Sequence, residues 1–207
     1  MKKHLLYISI ISVFLFTACS DEFDLEKSVF INDTEHPNLP QYSEWGYNTF
    51  GAFYDRKVFI SNDQEIPLKV IATGNTTTFI FKGQLNEVSS YNYGNSYYDS
   101  DMSIKFNIDN FIPTIYSDLL ALNDSLFDLQ HPDCSITILI DNNTYDATII
   151  NGEFEFIKAQ KLIVDTEEVQ IILSGVFDLQ VLINNEPISI SYGRFDMGVG
   201  EDNFFAY

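Results

Sequence analysis

The chain is poor in basic residues. It carries 11 Lys and Arg against 30 Asp and Glu. A surface so negative repels nucleic acid and anionic headgroups, so nucleic-acid binding is excluded on charge. Acidic composition also serves solubility, which asks for no partner. Cysteine is scarce, with only Cys19 and Cys134. No CxxC, His-Glu-x-x-His, Gly-x-Ser-x-Gly or phosphate-binding glycine loop is present, which removes the commoner metal, hydrolase and nucleotide signatures. The one long apolar run, Leu5 to Phe16, is broken by Ser9 and Ser12 and is too short for a comfortable transmembrane helix.

That run is flanked in a telling way. Lys2 and Lys3 precede it, and Phe16-Thr17-Ala18-Cys19 follows it. A basic n-region, an apolar h-region and small residues before a cysteine read as a lipoprotein export signal over residues 1–18. The Cys19 thiol would carry a diacylglycerol and its freed amine a third chain. Two or three acyl chains give stable anchoring where one does not. Cleavage before Cys19 leaves 189 residues and, without Lys2 and Lys3, nine basic residues against 30 acidic, a formal charge of −21. The competing reading is an ordinary secretory signal with a chance cysteine.

With Cys19 lipidated, Cys134 stands alone and no intrachain disulfide can form. Beside the alternating run Ile136 to Ile140 it reads as a small buried hydrophobe at a strand start. His131-x-x-Cys134 is too little for a metal or nucleophile site.

Residues 19–43 read as a tether. Asp21 to Glu26 is acidic, and His36-Pro37-Asn38-Leu39-Pro40 holds two prolines, which support neither helix nor central strand. Residues 44–207 read as one all-β domain, an antiparallel β-sandwich or barrel of about ten to twelve strands with one short helix. Strand signals cover Tyr47 to Tyr54, Lys57 to Ser61, Leu68 to Thr73, Thr76 to Leu85 and Met102 to Ile108. In the last, Met102, Ile104, Phe106 and Ile108 share one face. Leucines at 119, 120, 122, 126 and 129 predict a helix within Tyr116 to Leu129, capped by Ser117. Ile136 to Ile140 and Tyr145 to Ile150 flank Asp141-Asn142-Asn143-Thr144 as a hairpin. Glu153 to Lys158, Gln160 to Val164, Val169 to Leu173, Val176 to Ile183 and Ile188 to Tyr192 follow, several separated by Asn151-Gly152 and Ser174-Gly175.

Three segments share the form Gly-x-Phe-acid-apolar: Gly152 to Phe156, Gly175 to Leu179 and Gly193 to Met197. Glycine permits a turn or bulge at the strand start, the Phe points inward, the acid outward and the last residue inward again. Spacings of 23 and 18 residues argue against a solenoid repeat.

Two of these segments also resemble a family. Val169 to Leu179 followed by Ile188 to Asp196 is similar to the ending of small Bacteroidota lipoproteins of unknown function, whose last strands carry Ser-Gly-x-Phe and then Gly-Arg-Phe-Asp. Asn48 to Phe53 with Lys57 to Ile60 is similar to their opening hairpin, with Asp55-Arg56 in place of the usual Asn-Gly. Ser20-Asp21-Glu22 resembles their surface-export signal. The resemblance covers the two ends of the domain and leaves 86–135 without support. It implies an all-β fold and an outer-membrane lipoprotein facing the exterior; it implies no activity.

Candidate chemistry is thin. Asp99 with Asp101, Glu153 with Glu155 and Glu167 with Glu168 are paired carboxylates of the kind a glycosidase uses, although thirty acids produce such pairs by chance. Asp141 to Asp146 offers hard oxygen ligands for calcium or plain turn chemistry. No metal, cofactor or catalytic residue is assigned. Tyr91, Tyr93, Tyr97 and Tyr98 lie among Ser, Asn and Gly and form the candidate binding surface, suited to a glycan or a protein partner, or else a hairpin packed across the domain's mouth. The expectation is a membrane-anchored, non-enzymatic protein with a binding or structural role. The alternatives are a small-ligand carrier with a barrel cavity and a carbohydrate-active hydrolase.

Overall fold

A computed structural model describes residues 28–61, 66–87, 100–164 and 167–207. Its strands are β1 (Thr49–Tyr54), β2 (Lys57–Ser61), β3 (Leu68–Thr73), β4 (Thr76–Glu87), β5 (Ser100–Asp109), β6 (Ser125–Asp128), β7 (Cys134–Ile140), β8 (Asn143–Val164), β9 (Glu167–Ile183), β10 (Glu186–Val199) and β11 (Phe204–Ala206). Eight of them, β1, β2, β4, β5, β7, β8, β9 and β10, pair antiparallel in a ring that closes where β10 meets β1. The domain is therefore a barrel and not a sandwich. Of the rest, β3 continues along β4 beyond β2, β6 lies on β8 beyond β7, and β11 adds parallel to β3.

An eight-stranded ring encloses a space that side chains can fill. Here phenylalanine fills it. Phe50, Phe59, Phe79, Phe81, Phe106, Phe154, Phe156, Phe177 and Phe195 are all buried. Phe106 stacks on Phe154 with ring centroids 4.4 Å apart, Phe81 meets Phe195 at 5.3 Å and Phe79 meets Phe156 at 5.1 Å. Each buried ring contributes about 1.5–3 kcal/mol. The outward positions of β5 are Ser103, Lys105 and Asn107, opposite its buried Met102, Ile104, Phe106 and Ile108.

The Gly-x-Phe segments show how the rings fit. Phe156 on β8, Gly175 on β9 and Phe195 on β10 are in register across three strands; so are Phe154, Phe177 and Gly193. Glycine stands beside phenylalanine in each row, which leaves room for the large rings. These glycines were expected at strand starts. Instead β8 and β9 run through Gly152 and Gly175 as single long strands, bent by bulges between Ile149 and Asn151 and between Phe156 and Lys158. A bulge lets a strand curl without ending.

Two further expectations are corrected. The helix is a 3-10 helix that stops at Leu122; Leu126 lies on β6 and Leu129 is buried beyond it. Ser117 does not cap it. The Asp118 carboxylate accepts from Thr114 N–H at 2.8 Å and Ile115 N–H at 3.2 Å, and these bonds hold its pKa below the ordinary value. The stretch expected as tether is packed on the barrel from Ser28 onward. Val29 N–H donates to Tyr47 O, Asn32 bridges Pro40, and Leu39 is fully buried. Residues 28–48 form a strap across the outside of β1 and β10.

Candidate functional site

The strap is held by two side chains of one strand. Arg194 and Asp196 flank inward-facing Phe195 on β10, so both point out of the barrel. The Asp196 carboxylate, 2% exposed, accepts from Ser43 Oγ, from Trp45 N–H at 3.0 Å, from Gly46 N–H at 2.7 Å and from Tyr47 N–H at 3.2 Å. Arg194 pairs with Asp33 in the strap and donates through Nε to Tyr192 O at 3.2 Å. The Asp33 carboxylate also accepts from Glu35 N–H at 2.7 Å and His36 N–H at 3.1 Å. Burial works against its ionisation, but those N–H groups and the Arg194 guanidinium outweigh it and lower its pKa. Beside them, burial and the charges of Glu44 and Asp196 push the Tyr42 phenol up to about 12. The acid of this Gly-Arg-Phe-Asp segment therefore faces outward as the alternation requires, yet it is covered by the strap and out of solvent.

Where the strap lifts from the barrel it leaves an open groove of about 420 Å³. Its floor is Val176, in register with Glu155 on one side and Arg194 on the other. Glu153 stands opposite Asp178 in the next row, and Asp128 stands opposite Glu153. Tyr192 forms one wall. It sits at the β10 bulge between Ile190 and Gly193, with φ +54°. Its N–H donates to Asp178 at 3.2 Å, and its ring lies 4.2 Å from that of His36.

A second groove of about 420 Å³ is lined by Lys82, Asp101, Met102, Leu139 and Asn142, among others. It lies at the ends of β4 and β5, which residues 88–99 connect. Tyr91, Tyr93, Tyr97, Tyr98 and Asp99 belong to that connection and lie outside the described residues, as does Cys19.

The remaining candidates resolve into structure. Asp141 and Asn142, with φ of 47° and 69°, form the two-residue turn of the β7–β8 hairpin, the conformation that favours Asn and Asp. No group of three or more potential metal ligands occurs among the described residues. Cys134 is half-buried at the start of β7. Burial and the nearby Asp133, Asp128 and Asp109 raise its thiol pKa, which works against the reactive thiolate form. The His131 ring accepts from Asp133 N–H at 3.3 Å. Glu153 and Glu155, noted only as a pair in sequence, do meet other groups in the strap groove. Asp33, His36, Tyr192 and Arg194 escaped sequence reasoning as a site; the Gly-Arg-Phe-Asp motif was the only sign of them.

Comparison of the chain with protein-family models, with curated proteins and with solved structures found no match.

Proposed function

We propose that this chain is a lipid-anchored, non-enzymatic envelope lipoprotein of Bacteroidota type. It is held at the outer membrane through acyl chains on Cys19 and faces the exterior, where its barrel binds a glycan or a protein or serves a structural part. The observation that carries the reading is the Phe16-Thr17-Ala18-Cys19 boundary after a short apolar run, nine residues before the strap begins. The carrier alternative requires an internal cavity, and the phenylalanine rings occupy the space where it would lie. Cys19→Ala is expected to release the protein from the membrane fraction, and mass spectrometry of the mature protein is expected to show an acylated Cys19 at the N-terminus. Unchanged membrane association of the variant, or an unacylated terminus elsewhere, overturns the reading.

A further inference from the structure

Ten non-glycine residues in the described chain have positive φ, and nine of them are Asn or Asp. Those types tolerate the left-handed region because their short side chains bond the local backbone. Tyr192 is the exception. It gains nothing of that kind, and at 53% exposure it does not fill the core. His36 lies against one side of its ring and Phe53 meets it edge-on, with centroids 6.1 Å apart. The ring is thus held by His36 and Phe53 while it stays more than half exposed and lines the groove.

The groove's charge is equally unusual. Glu153 faces Asp178 and Asp128 across the strands, and like charges in that position repel. Among the described residues no basic side chain forms an ion pair with Glu153, Glu155 or Asp178, while the nearby guanidinium of Arg194 is engaged by Asp33. An ammonium group seated there would offset the repulsion.

We infer that this groove binds an amino sugar, its ring stacked on Tyr192 and its ammonium among Glu153, Glu155 and Asp178. The inference rests on the binding role proposed above and adds its site and ligand class. A pyranose has an apolar CH face that matches one flat aromatic ring, and its hydroxyls donate to carboxylates. An acidic sugar is repelled. The groove's volume lies within the roughly 300–1,000 Å³ of small-molecule sites.

The test is titration of the full acylated protein in detergent with a glucosamine hexasaccharide, beside its N-acetylated counterpart, an oligogalacturonate and spermidine. Tyr192→Gly preserves every charge and suits the φ of the site, so it separates stacking from general attraction to an acidic protein. The expected result is binding weakened at least tenfold in Tyr192→Gly, with the melting temperature within a few degrees of the parent, and near-parental binding in Tyr192→Phe. Tyr192→Asn serves if the glycine variant does not fold. Glu153→Gln with Asp178→Asn is expected to weaken binding similarly, and the N-acetylated and acidic oligosaccharides to bind at least tenfold more weakly. Parental affinity in Tyr192→Gly, or spermidine competing equally in both proteins, overturns the inference. Loss of hexasaccharide binding in Tyr97→Ala with Tyr98→Ala, but not in Tyr192→Gly, also overturns it and leaves a glycan-binding role intact. If the parent binds none of the oligosaccharides, the groove site falls, while Cys19→Ala fractionation still decides the anchoring on its own.

Discussion

Gly175 sits in register between Phe156 on β8 and Phe195 on β10, and its missing side chain is what lets those rings share one layer of the barrel. A Cβ there would strike the Glu155 carbonyl oxygen and come within 2.7 Å of Phe195 Cζ. The carbonyl belongs to the strand ladder and cannot move aside.

Gly175→Ala is therefore expected to destabilise the barrel by about 3 kcal/mol, at the upper end of overpacking costs. Gly74→Ala is the control. Its Cβ meets nothing within 4 Å, and only its φ of +60° is unfavourable, so about 1 kcal/mol is expected. Urea unfolding of the two variants measures the difference. Equal losses would mean that ring packing over Gly175 is unimportant.

Asp196 closes the strap's last turn onto the barrel. Asp196→Ala leaves the N–H groups of Trp45, Gly46 and Tyr47 without their acceptor. Orphaned polar groups of this kind are costly, and the strap's hold should weaken by about 3 kcal/mol. Hydrogen exchange is the direct measurement. Those three amides should lose protection in the variant while amides of the β9–β10 ladder keep theirs. Uniform loss along both would show strap and barrel unfolding as one unit.

The Arg194–Asp33 pair sets an acid limit on the same contact. The folded pKa of Asp33 is below its unfolded value, so the unfolded chain binds the proton more readily as pH falls. The stability Asp33 contributes is complete above the unfolded pKa, about 4, and is lost as pH falls through the folded value. Asp118 acts with the same sign. The stability difference between the parent and Asp33→Asn should stay constant from neutral pH to about 5, then close below about 4. Denaturant titrations across that range test it; a gap that persists undiminished to the lowest pH would place the contribution elsewhere.

Much of the barrel is legible in the chain because its strands obey a local rule. Met102 to Ile108 alternates by residue, and the alternation is the barrel wall itself. Asp141-Asn142 marks its turn because only certain residues accept positive φ. Legibility fails where distant residues decide. Ser174-Gly175 looks like a break, since nothing nearby reveals that two rings from neighbouring strands need the space. The leucines of Tyr116 to Leu129 suit a helix by spacing, yet β8 takes Ser125–Asp128 as a strand partner. His36-Pro37-Asn38-Leu39-Pro40 has the composition of a spacer, yet it lies between Asp33 and Ser43, which Arg194 and Asp196 hold from more than 150 residues later. The groove draws on the strap, β8, β9 and β10 at once, so no local window contains it. Tyr91, Tyr93, Tyr97 and Tyr98, by contrast, stood out in sequence and lie beyond the described residues.

The early docking of the strap also changes how far the barrel can stand from a bilayer. Counted to residue 43, the chain after Cys19 would allow a leash of about 85 Å at full extension; counted to Ser28, where the strap begins, it allows no more than about 32 Å. With the anchor proposed at Cys19, the domain rides close over the lipid headgroups, and a large partner must come to it from the outward side.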